Sequence, residues 1–137
     1  MSAHSLDWSL PKVDDPTLQL WYSHVASQAG TTIPRTAFKR IYADAPVVFE
    51  LPFGLVRLDP LRMGKYAQAH GFIWSKEVFR HLDTFRELIA FSFRMYNLQY
   101  ILVVAPESAT GIKRLLLKIG FEPMRKVDGD VHYECRR

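Results

Sequence analysis

Two ionisable residues stand where a folded chain could use them to move a proton. His70 lies near the end of a predicted strand over 66–75, and an imidazole titrates close enough to neutrality to accept a proton. The competing reading is a strand histidine that serves only as a hydrogen-bonding group. Glu107 follows a second predicted strand, 98–104, and is either a base or a loop carboxylate beside a helix start. Cys135 sits near the C-terminus in no obvious thiolate-stabilising setting and reads as inert. His132 and Cys135 are too few for zinc, so no metal site is expected. The chain has no glycine-rich phosphate loop followed by Lys-Ser/Thr, and no nucleophile elbow.

The elements that must position these groups follow from hydrophobic spacing. Residues 1–15 are polar and read as an irregular arm. Leu18, Trp21, Tyr22 and Val25 predict a helix over 17–29 that Gly30 stops, and Phe38, Ile41 and Tyr42 form one face of a second short helix. Residues 47–51 and 55–58 read as a strand pair broken by Pro52 and Gly54. Asp59-Pro60 reads as a turn, and 66–75 as a buried strand.

Thr84-Phe85-Arg86-Glu87 reads as a capping box, with Phe85, Leu88, Ile89, Ser92, Met95 and Tyr96 as the buried stripe of a helix to about Tyr96 that Asn97 ends. The nearly continuous apolar run 98–104 predicts a central strand covered on both faces. Ser108 suits the cap of a further helix with the stripe Ile112, Leu115, Leu116 and Ile119, ended by Gly120. Strands over 121–127 and 131–135 flank Asp128-Gly129, the strongest hairpin signal in the chain. Two strands joined by a crossover helix should be parallel, which makes 66–75 and 98–104 parallel neighbours.

Length and composition bound the class. The 137 residues, 48% hydrophobic and 23% charged, suit one globular domain over 1–137. One cysteine excludes an internal disulfide and suits a reducing, cytoplasmic compartment. The opening MSAHSLDWSLPKVDD has neither an apolar run nor a basic leader, so no signal peptide is expected. No stretch approaches ~20 apolar residues, so no membrane partner is expected. The net charge of +4 is spread over Lys39 and Arg40, Lys113 and Arg114, Arg125 and Lys126, and Arg136 and Arg137, which favours a solvated surface over a nucleic-acid face. An anionic small molecule would also favour a basic site.

The order of elements, with residues 113–121 (KRLLLKIGF) running through a leucine-rich turn into Gly120-Phe121 and then into an Asp-Gly hairpin and an aromatic strand with Tyr133, resembles the GNAT acyltransferase superfamily. The resemblance covers about 47–135 well and the two N-terminal helices loosely. It implies an α/β (α+β) fold: a mixed, mostly antiparallel sheet flanked by helices, with a parallel central strand pair that diverges at its C-terminal ends.

The resemblance also implies acetyl-CoA as the acyl donor. In the family the CoA pyrophosphate sits at the start of the helix after the fourth strand, on a Gln/Arg-x-x-Gly-x-Gly/Ala motif, because exposed amides and the helix dipole attract phosphate. The matching segment here is Arg80-His81-Leu82-Asp83-Thr84-Phe85. Arg80 matches, with His81 beside it. Asp83 and Phe85 replace the small residues, the first repelling phosphate and the second blocking approach to the backbone. Ala109 stands where the family has an asparagine on the CoA arm, and Leu116 where it has a tyrosine that protonates the departing thiolate. The strand end at Ile73, Trp74 and Ser75 corresponds to the backbone that bonds the pantetheine. The base in such enzymes is often a glutamate or a held water, which makes His70 and Glu107 the candidates.

Two functions follow. One is an acetyl-CoA-dependent N-acyltransferase acting on a small-molecule or protein amine. The other is a non-catalytic GNAT-like binding or assembly module with protein partners. Compact proteins of this kind with degraded motifs occur among phage-encoded proteins, including head-assembly ones, which would place this chain in the host cytoplasm or the virion.

Overall fold

A computed structural model describes residues 45–73 and 76–137. The helix expected over 17–29, the second short helix with Phe38, Ile41 and Tyr42 on one face, the arm 1–15, and Trp74 and Ser75 lie outside the described residues. The elements are β1 (Val47–Leu51), β2 (Gly54–Arg62), β3 (Tyr66–Ile73), a 3-10 helix (Lys76–Arg80), α1 (Leu82–Tyr96), β4 (Tyr100–Pro106), α2 (Thr110–Lys118), β5 (Glu122–Val127) and β6 (Asp130–Arg136). The six strands form one sheet in the order β1-β2-β3-β4-β6-β5. No helix among the described residues is long and apolar enough to cross a membrane.

The described residues divide into two compact units. One holds 45–59, 70–73 and 76–78; the other holds 60–69 and 79–137.

In the first unit, β1 and β2 form the expected antiparallel pair, with Leu51 opposite Gly54 around a two-residue turn. Val47, Val48, Phe49, Leu51, Phe53, Leu55, Val56 and Leu58 are all buried, so the consecutive apolar residues serve both faces of this ribbon. Asp59-Pro60 does not turn the chain. The strand continues to Arg62, because the polar groups that would favour a turn are engaged: the Asp59 carboxylate by Arg57, and its carbonyl by His70. The turn comes instead at Met63–Lys65, where Gly64 takes a φ of 81° that suits glycine.

In the second unit, Tyr66, Ala67 and Gln68 of β3 lie parallel to and opposite Tyr100, Ile101 and Leu102 of β4. This is the parallel pair expected from the crossover. It is fixed from below: Gly64 donates its amide to the Tyr96 carbonyl at the end of α1, and Gln99 donates to the Lys65 carbonyl. Ala67, Ile101, Ala105, Tyr133 and Cys135 alternate onto the core face. Leu102, Val103 and Val104 are only half-buried, so β4 is less completely covered than its apolar run suggests.

Helix α1 begins at Leu82, two residues before the expected start, and no side chain caps it. Thr84 is therefore in the first turn, with its amide on the His81 carbonyl 3.1 Å away. The capping box is not formed; Asp83 instead places its charge in the first turn, where it offsets the helix dipole. Phe85, Leu88, Ser92 and Tyr96 are buried as expected, Phe91 and Phe93 join them, and Met95 is exposed. Asn97 adopts the left-handed conformation that ends the helix.

Ala109, not Ser108, precedes α2, again without a side-chain cap. Ile112 lies in its first turn and is exposed, while Leu115 and Leu116 are buried. Gly120, at φ 105°, closes α2: its amide donates to the Leu117 carbonyl and that of Phe121 to the Leu116 carbonyl, the paired bonds of a Schellman ending. Asp128 and Gly129, both at positive φ, then form the expected turn between β5 and β6.

Candidate functional site

The sequence candidates fall into both units. His70 and Ile73 belong to the first, and Arg80, His81, Glu107 and Ala109 to the second.

His70 lies on β3 and is half-buried. Its Nε2 donates to the main-chain carbonyl of Asp59, 2.8 Å away. Arg57 Nη1 donates to Asp59 Oδ2 at 3.2 Å. Burial pushes the His70 ring below its ordinary pKa of 6.5, and the Arg57 charge adds to this. The hydrogen bond and charge of Asp59 work the other way without reversing it. The net effect favours the neutral imidazole. Ile73 ends the same strand and is half-buried.

The start of α1 gathers several polar groups. Arg80 and His81 immediately precede the helix and are exposed. Asp83 is 92% exposed and accepts from Arg86 Nη1 at 2.9 Å. The other arm of that guanidinium, Nη2, donates to the carbonyl of Lys118 at the end of α2. The Arg114 guanidinium lies over the Phe79 ring, 4.8 Å from its centroid. Phe85 lies in the buried stripe of α1, as the hydrophobic spacing predicts. Its side chain is 5% exposed and belongs to the core beneath the helix. Asp83, by contrast, is presented outward.

Glu107 follows β4. Its amide donates to the Gly129 carbonyl, and its Oε1 accepts from Lys126 Nζ at 3.0 Å, so it is an exposed carboxylate tied to the β5–β6 hairpin. Ala109 is the residue before α2, its amide on the Pro106 carbonyl. Leu116 is buried, and its carbonyl serves the helix ending. Cys135 is buried, and burial raises its thiol pKa, which agrees with an inert residue. No group of three or more metal-ligating side chains occurs among the described residues.

Arg57, Asp59 and Arg86 were not singled out from the sequence. Arg57 and Asp59 are two apart on one strand, which puts them on one face, and Asp83 and Arg86 have helical i,i+3 spacing. Both signals are common on solvated surfaces, so neither marks a site without the fold.

No family model matches the chain, and no curated protein matches it. Solved structures do. Aminoglycoside acetyltransferase AAC(6')-Ib in complex with coenzyme A superposes with a TM-score of 0.69 at 14% identity, over 92% of each chain. A GNAT-family acetyltransferase from Bacillus anthracis gives 0.68 at 8% identity, over 91% of this chain and 92% of that one. Campylobacter jejuni N-acetyltransferase PseH in complex with acetyl coenzyme A gives 0.68 at 10% identity, over 91% and 93%. With this strand order, this parallel pair and these neighbours, the chain has the fold of the GNAT acetyltransferases.

Proposed function

We propose that the chain is a cytoplasmic N-acyltransferase that transfers an acyl group from a CoA thioester to an amine, with a weak donor site. The observation that carries the reading is His70: a half-buried imidazole whose neutral form is favoured by burial and by the Arg57 charge, and whose ring is oriented by the Asp59 carbonyl, in a fold shared with N-acetyltransferases. Neighbours of this fold include a spermidine N-acetyltransferase chimera and an aminoglycoside acetyltransferase, which supports an amine as acceptor.

In the second unit, the residues that would hold the donor are Arg80 and His81, exposed before α1, and Ala109, before α2. Arg80 and His81 fit the phosphates of an anionic donor. Asp83 opposes them, and Ala109 has no polar atom beyond its backbone. When bound, the thioester supplies an activated carbonyl.

His70 takes the proton that the acceptor nitrogen sheds, and Glu107 is the second candidate for that proton. Leu116 is buried and has no proton to give, so it would not serve as the acid for a departing thiolate.

A second reading is favoured by one observation. Asp83 supplies at the start of α1 the negative charge that a phosphate would bring, and Arg86 holds it there. On that reading the chain is a non-catalytic module whose outer surface binds protein partners in an assembly, such as a phage particle. Calorimetry with acetyl-CoA at high micromolar concentration, followed by acyl-transfer assays on polyamine and aminoglycoside acceptors, separates the two. Saturable binding with turnover supports the enzyme. Absence of both supports the module.

A further inference from the structure

We propose that Arg57 and Asp59 are positioning residues for His70, holding its ring as the Nε2–H tautomer so that Nδ1 is the atom that takes a proton. The inference rests on the reading of His70 as the base.

The geometry decides the tautomer. The partner of Nε2 is a main-chain carbonyl, which can only accept. At 2.8 Å the nitrogen must therefore carry the hydrogen. A neutral imidazole has one N–H, so the lone pair available to a proton is on Nδ1.

The acceptor is itself fixed by the sequence. Asp59 precedes Pro60, and a residue before proline is confined to extended conformations. That confinement sets the direction of the Asp59 carbonyl. The side chain of Asp59 is kept on Arg57, whose own side chain is 16% exposed. Among the described residues, the charges that act on the ring are those of Arg57 and Asp59, both on β2. Its immediate neighbours on β3, Ala69 and Gly71, carry none. Burial and the Arg57 guanidinium oppose an imidazolium and outweigh the Asp59 contributions that favour it. The ring so held is neutral and has its basic nitrogen assigned before any ligand arrives.

The test is long-range proton–nitrogen correlation NMR on the full chain with nitrogen-15-labelled histidine, the His70 signals being assigned with His70→Gln. The expected result near pH 7.5 is a protonated-type Nε2 and an unprotonated-type Nδ1, with a titration midpoint below 6.5. Arg57→Gln should move the midpoint up, and Arg57→Lys should bring it back. Asp59→Asn, which keeps the main-chain acceptor, should keep the tautomer and move the midpoint down, and it serves if Arg57→Gln fails to fold. An Nδ1–H tautomer overturns the proposal, as does a midpoint that neither Arg57→Gln nor Asp59→Asn shifts. The tautomer is read directly, so an inactive wild type counts against the acyltransferase reading and a wrong tautomer against this one.

Discussion

Arg86, in the second turn of α1, donates through Nη2 to the main-chain carbonyl of Lys118, the last residue of α2, 2.9 Å away. One guanidinium thus serves two helix ends. It balances Asp83 at the positive end of α1 and satisfies a carbonyl at the negative end of α2. Replacing Arg86 with methionine keeps much of the aliphatic stem and removes both bonds. The pair with Asp83 is exposed and contributes little. The expected loss is about 0.5–1 kcal/mol, mainly from the carbonyl at the end of α2. Urea unfolding should show it, with only a small part sensitive to salt.

Phe85 gives a larger effect from the same turn. Its ring is in the core, so Phe85→Ala should destabilise by about 3–5 kcal/mol through lost burial and a cavity. Thermal melts and denaturant titrations measure this directly. A loss below 1 kcal/mol would place the ring outside the core.

The sequence and the structure agree where one physical rule dominates. Asp128-Gly129 demanded positive φ and received it; Gly120 likewise. The parallel β3–β4 pair followed from a crossover helix between two apolar runs. They differ where two rules compete. Asp59-Pro60 has turn chemistry, yet Arg57 and His70 engage the aspartate and the strand continues. Thr84-x-x-Glu87 has capping chemistry, yet the helix begins earlier and leaves the threonine inside its first turn. At the site, His70 was legible as a titratable strand residue. Its partner was not, because a main-chain carbonyl has no signature in the sequence. Phe85 was legible as a core residue from its helical spacing with Leu88 and Ser92.

Gly120 tests the ending of α2. Alanine there must adopt a φ near 105°. A Cβ would meet only Cys135 Sγ at 3.9 Å, an ordinary contact, so the penalty comes from backbone strain rather than from a clash. Gly120→Ala should cost about 1–2 kcal/mol. Gly120→Asn should cost less, since asparagine tolerates the left-handed region. Equal losses for both would show that space, not conformation, sets the requirement.

Asp83→Asn and Asp83→Gly test the donor site without touching the core. Two like charges ~4 Å apart in water repel by about 1 kcal/mol, which corresponds to roughly fivefold in affinity. On the acyltransferase reading, either variant should tighten acetyl-CoA by about threefold to tenfold at low salt. Arg80→Ala should weaken it. Unchanged affinity in all three variants would remove the start of α1 from the donor site.

The pH dependence of folding tests His70 independently of any ligand. Its pKa in the folded chain lies below 6.5, the ordinary value that the unfolded chain approaches. Above 6.5 the ring is neutral in both states, and the favourable environment of the neutral form contributes fully. As the pH falls through 6.5 the unfolded state takes up a proton first. Stability is therefore lost progressively, until the folded ring also titrates and the loss levels off. Carboxylates add their own acid-side losses at lower pH, so the wild-type curve alone does not isolate the ring. The difference between wild type and His70→Gln does. Glutamine keeps a donor for the Asp59 carbonyl but cannot titrate. The wild type should lose stability relative to this variant between neutral pH and the folded midpoint, and the difference should be flat above neutrality. A difference that grows in favour of the wild type on acidification would mean that the folded chain stabilises the imidazolium, with Asp59 outweighing burial and Arg57. That outcome would remove the preference for the neutral form on which the reading of His70 rests.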